Sequence, residues 1–130
     1  MSSGYSQLMN TVTRQRDQAA RLFESQAAIC KTFANAWRLR IVEALGEGEM
    51  TVSQLVEALG IPKSNVSQHL AIMREKGMVE HRREGGYVYY WLSSPKIVLA
   101  CRLMREVLIE RLEKAGELSR FELARRRQSS

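Results

Sequence analysis

The chain has 130 residues, 45% of them hydrophobic and 26% charged, which suits one soluble domain with extra helices at its ends. Twenty Lys and Arg against fourteen Asp and Glu give a net charge of +6 and a pI near 9.7, so a polyanionic partner is favoured, either nucleic acid or an acidic membrane face. No apolar run approaches the ~18 residues that span a bilayer, and the polar start Met1–Asn10 lacks the layout of a secretion signal, which argues against a membrane partner and for a cytoplasmic protein.

In chain order, residues 1–13 carry no clear period and are expected to be a flexible N-terminus. From about Arg14 the chain reads as helix, with Phe23, Ala27, Cys30, Ala34 and Trp37 recurring at steps of four and three. Asn35 is placed to cap a second helix through Ile41, Val42 and Leu45, stopped by Gly46–Gly48. Thr51-Val52-Ser53-Gln54 is a capping-box pattern, and it opens a short helix to Leu59 that ends at Gly60. Pro62 suits the first position of the next helix, which runs to about Lys76 with Val66, Leu70 and Met73 inward.

At Val79 the period switches to two. Val79, His81 and Arg83 alternate with Glu80 and Arg82; Gly85-Gly86 turns the chain; Val88, Tyr90 and Leu92 alternate with Tyr87, Tyr89 and Trp91. Two alternating runs joined by Gly-Gly predict a β-hairpin. After Pro95 a last helix carries Ile97, Cys101, Met104, Leu108 and Leu112 on one stripe. The basic triplet Arg125, Arg126 and Arg127 belongs to a C-terminal extension, residues 116–130, beyond a domain of residues 14–115.

Two short helices joined by a glycine turn, with a basic hairpin directly after them, have the order of a winged helix-turn-helix. The predicted fold is mainly α with a small β-hairpin. The first helix of the pair braces the second so that its N-terminal half can enter the ~12 Å major groove. On that second helix Ser64, Ser67, Gln68 and Ala71 face outward, with Lys63 and Asn65 near its N-terminus, and Asn and Gln can pair bidentately with adenine. Lys63 and the helix start suit phosphate. The candidate DNA contacts are Lys63, Ser64, Asn65, Ser67, Gln68, His69, Arg74, Arg82, Arg83 and Tyr87. Ser, Asn and Gln alone would equally well solvate an exposed helix; the hairpin with Arg82 and Arg83 beside its tip favours DNA.

Lys31 through Val107 resembles the ArsR/SmtB family of repressors. The resemblance rests on Ala34-Asn35-Ala36-Trp37-Arg38-Leu39-Arg40-Ile41, on Thr51-Val52-Ser53-Gln54-Leu55, and on Asn65-Val66-Ser67-Gln68-His69-Leu70. The wing adds Arg82-Arg83-Glu84-Gly85 and Val88-Tyr89-Tyr90. It implies a homodimer joined through its first and last helices, an inverted-repeat operator on double-stranded DNA, and repression relieved by an effector. Trp37 departs from the small residue or Pro usual there, implying altered packing. The family's metal positions fall on Thr51 and Ser53, and on Ser94, Lys96, Val107 and Glu110; of these only Glu110 could bind a metal, so neither metal nor other cofactor is expected.

Two cysteines are too few to staple a secreted module and are thiols by default in a reducing cytosol. Cys30 and Cys101 sit on the helices that the resemblance pairs, so a thiol-reactive effector is one expectation; small buried hydrophobes without a switch are the other. Lys31 and Arg102 are sequence neighbours able to lower a thiol pKa. No nucleophile–base pair, paired carboxylates or phosphate loop argues for an enzyme. A winged helix used for protein contact, or one that coats DNA without an operator, is the remaining alternative.

Overall fold

The computed structural model describes residues 2–116, so the expected basic extension with Arg125, Arg126 and Arg127 lies outside the described residues. Helix α1 (Ser2–Thr32) starts well before Arg14, where the sequence reading placed it. The early turns do hold a helical period, Tyr5, Leu8, Met9 and Val12, which the surrounding Ser, Gly, Asn and Thr obscure because they are poor helix formers. The Thr11 and Thr13 hydroxyls donate back to the carbonyls of Gln7 and Met9, each at 2.9 Å. At 1.5 Å per residue the helix is about 46 Å long. Of residues 4–32, all but Val12, Ile29 and Thr32 are exposed, so the helix stands largely clear of the body.

The chain breaks where expected. Asn35 is extended, and its Oδ1 accepts from the backbone N–H of Trp37 and Arg38 at 3.0 and 3.1 Å, starting α2 (Ala36–Leu45). Trp37 is half-buried and carries the Arg40 guanidinium over its ring at 4.7 Å. Helix α2 stops at the expected Gly46–Gly48 segment, where Gly48 has the positive φ of 137° and Gly46 itself is ordinary right-handed backbone. Its lack of a side chain serves a contact instead: a Cβ there would sit 2.8 Å from Val98 Cγ2 on the last helix.

A strand that the sequence did not announce follows, β1 (Met50–Thr51). Two residues are too few to display an alternation. Thr51 then caps α3 (Val52–Leu59) in a complete capping box: its hydroxyl accepts from Gln54 N–H, and Gln54 Oε1 accepts from Thr51 N–H. Gly60, left-handed at φ 69°, ends α3. Helix α4 (Lys63–Glu75) begins one residue later than expected, with Pro62 as its cap residue rather than its first turn. Strands β2 (Val79–Glu84) and β3 (Tyr87–Leu92) form the predicted hairpin, and β1 adds to its far edge in the order β1-β3-β2, all antiparallel. Helix α5 (Lys96–Lys114) closes the described chain.

One core joins these pieces. Ile41, Val42 and Leu45 from α2 meet Leu55 from α3, Val66, Leu70 and Met73 from α4, Val79 and Tyr90 from the hairpin, and Val98 from α5. Full burial of each aliphatic side chain contributes roughly 1.5–3 kcal/mol, so this cluster fixes how α4 and the hairpin sit. Of the stripe expected on α5, only Ile97 and Cys101 reach the core; Met104 and Leu108 remain 70% and 49% exposed. No helix among the described residues is long and apolar enough to cross a membrane.

Candidate nucleic-acid interface

The outer helix of the pair, α4, is divided cleanly. Val66, Leu70 and Met73 have no exposure at all, whereas Lys63, Ser64, Asn65, Ser67, Gln68 and Ala71 are exposed. Spacings of three and four put the three apolar residues on one side, so the polar ones are pressed outward. No side chain caps the first turn and no acidic residue lies in it, which leaves its N–H groups and the positive end of the helix dipole open to an anion.

The hairpin divides the same way, by its period of two. His81 pairs with Tyr90, Arg83 with Val88 and Val79 with Leu92, so these share the face turned to the core. Its other face holds Glu80, Arg82 and Glu84 with Trp91, Tyr89 and Tyr87. The two wing arginines, adjacent in sequence, therefore point to opposite sides. On the core side the His81 ring stacks on Tyr90 at 5.5 Å, and Arg74 of α4 donates to His81 Nε2 at 3.3 Å. Arg74, His81 and Arg83 thus form a basic edge continuous with α4.

Arg82 has other partners. Its guanidinium is bidentate on Glu49, with Nη2 to Oε1 at 2.9 Å, donates to Glu84 at 3.0 Å, and lies over the Tyr89 and Trp91 rings. The hydrogen bonds from Arg82 hold the Glu49 carboxyl below the ordinary carboxylate value. The structure therefore places Arg82 as a tie between the wing and the turn before β1, separate from the edge formed by Arg83 and Arg74. Tyr87, 57% exposed, is on the Arg82 side near the tip.

His69 is half-buried and already engaged, since its Nδ1 accepts from Arg38 Nε at 3.3 Å. Burial, with the charge of Arg38 close by, holds its imidazole below the ordinary histidine value. Arg38 carried no role in the sequence reading. Nor did Glu49, or Glu43, which accepts from Arg102 at 3.0 Å and Arg105 at 3.3 Å and so ties α2 to α5. None of the three has a sequence signal, because each partner lies more than thirty positions away.

The cysteines are both free. Cys30 is exposed on α1, and Cys101 is half-buried against the core. Burial pushes the Cys101 thiol up, with Arg105 opposing and Glu43 reinforcing. Arg102, expected as a neighbour able to lower it, is instead committed to Glu43.

A braced polar helix with a basic hairpin alongside defines the class as a winged helix-turn-helix DNA-binding domain. The signature described as "Bacterial regulatory protein, arsR family" matches residues 37–81. The transcriptional repressor PagR of Bacillus anthracis is 35% identical over 85 residues, covering 65% of this chain and 85% of PagR. The transcriptional activator HlyU of Vibrio cholerae is 35% identical over 79 residues, covering 61% of this chain and 73% of HlyU. A solution structure of the homodimeric winged helix-turn-helix DNA-binding domain of Mb0332 from Mycobacterium bovis superposes with a TM-score of 0.68 at 33% identity. It covers 75% of this chain, and 91% of that domain is matched. The chain belongs to the ArsR family of bacterial regulatory proteins and is a DNA-binding transcriptional regulator, not an enzyme.

Proposed function

We propose that the chain represses transcription in the cytoplasm as a homodimer bound to an inverted-repeat operator. One observation carries the reading: α4 hides its apolar side completely and offers Ser64, Asn65, Ser67 and Gln68 beside a basic edge. Ser67 and Gln68 read base edges; Lys63, the first turn of α4, Arg74 and Arg83 hold phosphates. Tyr87 adds a contact at the wing tip. Arg82 keeps the wing in place, and His69 lies at the rim of the reading surface.

The second copy is seated on α1 and α5. Leu99, Leu103, Met104, Val107 and Leu108 of α5 are between 49% and 70% exposed, and Tyr5, Leu8, Leu22 and Phe23 of α1 between 60% and 68%. Apolar surface of this extent, exposed on both helices, suits an obligate interface.

Selection of duplexes from a randomised pool tests the reading. The wild-type chain is expected to recover a two-fold symmetric sequence. Ser67→Ala and Gln68→Ala should relax the preference at single base pairs by roughly 1–3 kcal/mol each. Recovery of no preferred sequence sinks the operator reading and leaves a general DNA coat. A reporter placed behind the recovered sequence gives the sign of regulation, with lowered expression expected.

For the effector, a thiol-reactive switch at Cys30 and Cys101 has the two sulfurs brought together, within one subunit or between the two. The raised Cys101 thiol favours the second reading, regulation without a thiol switch. Mass spectrometry after peroxide or polysulfide separates them: modification of both thiols with release from DNA supports the switch, and unreacted thiols with unchanged binding exclude it.

A further inference from the structure

One guanidinium joins three helices. Arg38, in the first turn of α2, donates through Nη1 to the carbonyl of Thr32 at 3.0 Å and through Nε to Nδ1 of His69 at 3.3 Å. Thr32 is the last residue of α1 and is 5% exposed. His69 lies in the middle of α4, next to Gln68. The backbone of Arg38 is itself pinned, since its N–H donates to Asn35 Oδ1. The bond to His69 requires a neutral ring with its proton on Nε2, because a guanidinium has donors only.

We propose that Arg38 is a positioning residue for DNA recognition, acting through His69 to hold α4 at a fixed pitch against the end of α1. The inference rests on the reading of α4 as the base-reading helix. Helix α1 stands almost clear of the body, so this joint is a direct polar path by which a shift of α1 against a second copy reaches the recognition surface. The core alone does not make that link, because α1 adds no residue to the fully buried cluster. Arg38 is the charged group set against the imidazole; its other partner is a backbone carbonyl, and the flanking α4 residues Gln68 and Leu70 are uncharged.

The test uses full-length protein and the duplex recovered by the wild-type chain. Failure to recover one counts against the reading of α4, not against this inference. Arg38→Met and His69→Leu are each expected to bind that duplex about tenfold more weakly, and the double variant no worse than either. His69→Gln keeps an acceptor for Arg38 and should bind more tightly than His69→Leu, an advantage that disappears in the Arg38→Met background. If the Gln advantage persists without Arg38, the side chain touches DNA itself and the proposal falls. Equal binding by wild type and both single variants overturns it as well.

Acid supplies a readout that works even if Arg38→Met fails to fold. Protonation turns Nδ1 into a donor and breaks the bond from Arg38, so affinity should fall as pH drops below the His69 pKa, and fall less in His69→Gln. Affinity that rises with acid and depends on His69 would mean a direct imidazolium–phosphate contact and would refute the positioning role. A profile identical in wild type and His69→Gln would refute it too.

Discussion

Arg82 is held by Glu49 and Glu84 and lies over two aromatic rings, while Arg83 makes no ion pair among the described residues. A cation neutralised by its own protein displaces few counterions from a duplex. Arg83→Gln is therefore expected to flatten the log–log salt dependence of binding to random duplex DNA by about 0.9, and Arg82→Gln to leave the slope nearly unchanged. Anisotropy titrations across a salt series measure both. A slope that flattens equally for the two would return Arg82 to the DNA-contacting set. The sequence showed two adjacent basic residues and an alternating run, and the alternation alone separates their faces. Glu49 was beyond reach from sequence, because no local pattern ties it to a residue 33 positions on.

Glu43 makes a related point on the α5 side. Hydrogen bonds from Arg102 outweigh burial, with Arg105 adding to them, and hold its carboxyl below the ordinary carboxylate value. A group depressed in this sense adds stability above its ordinary value and loses it as pH falls through the lowered one. Urea midpoints of wild type are expected to drop as pH falls from the ordinary carboxylate range through the lowered Glu43 value, and Glu43→Gln should show less of that drop. Equal acid sensitivity would mean that solvent screens the pair too well to matter.

Among the elements, α3 and the hairpin turn were the most legible, because each is dictated by local chemistry. The Thr51–Gln54 box satisfies two helix-end donors with side chains three residues apart. Thr51→Ala is expected to cost about 1 kcal/mol in chemical denaturation, with Ser restoring most of it. Gly85 and Gly86 have φ of 58° and 83°, a conformation that other residues resist. Gly86→Ala should cost about 1–2 kcal/mol without changing the register of the strands, which amide exchange can follow. The start of α1 and strand β1 were not legible. Poor helix formers obscured the first, and the second exists only because β3 presents a free edge to Met50 and Thr51.

For the whole molecule, the described chain covers its recognition machinery with one small core and leaves two apolar helical faces open. If a second copy covers them, melting temperature must rise with protein concentration. Leu103→Glu with Val107→Glu is expected to give a monomer in sedimentation, with a concentration-independent melt and weakened binding to the symmetric duplex. A wild-type protein that sediments as a monomer would dismiss the dimer while leaving the base-reading assignment of α4 standing.

The bare backbone at Gly46 bears on this assembly. Val98 approaches so closely there that even a methyl group would require the Val98 side chain or α5 itself to shift away from α2. In the proposed dimer such a wedge would touch neither reading head, but α5 would be an arm that joins them. The distance between the two heads would then be gauged at a residue with no side chain. A Gly46→Ala protein should keep its taste for each half of the sequence and change the number of base pairs it prefers between them.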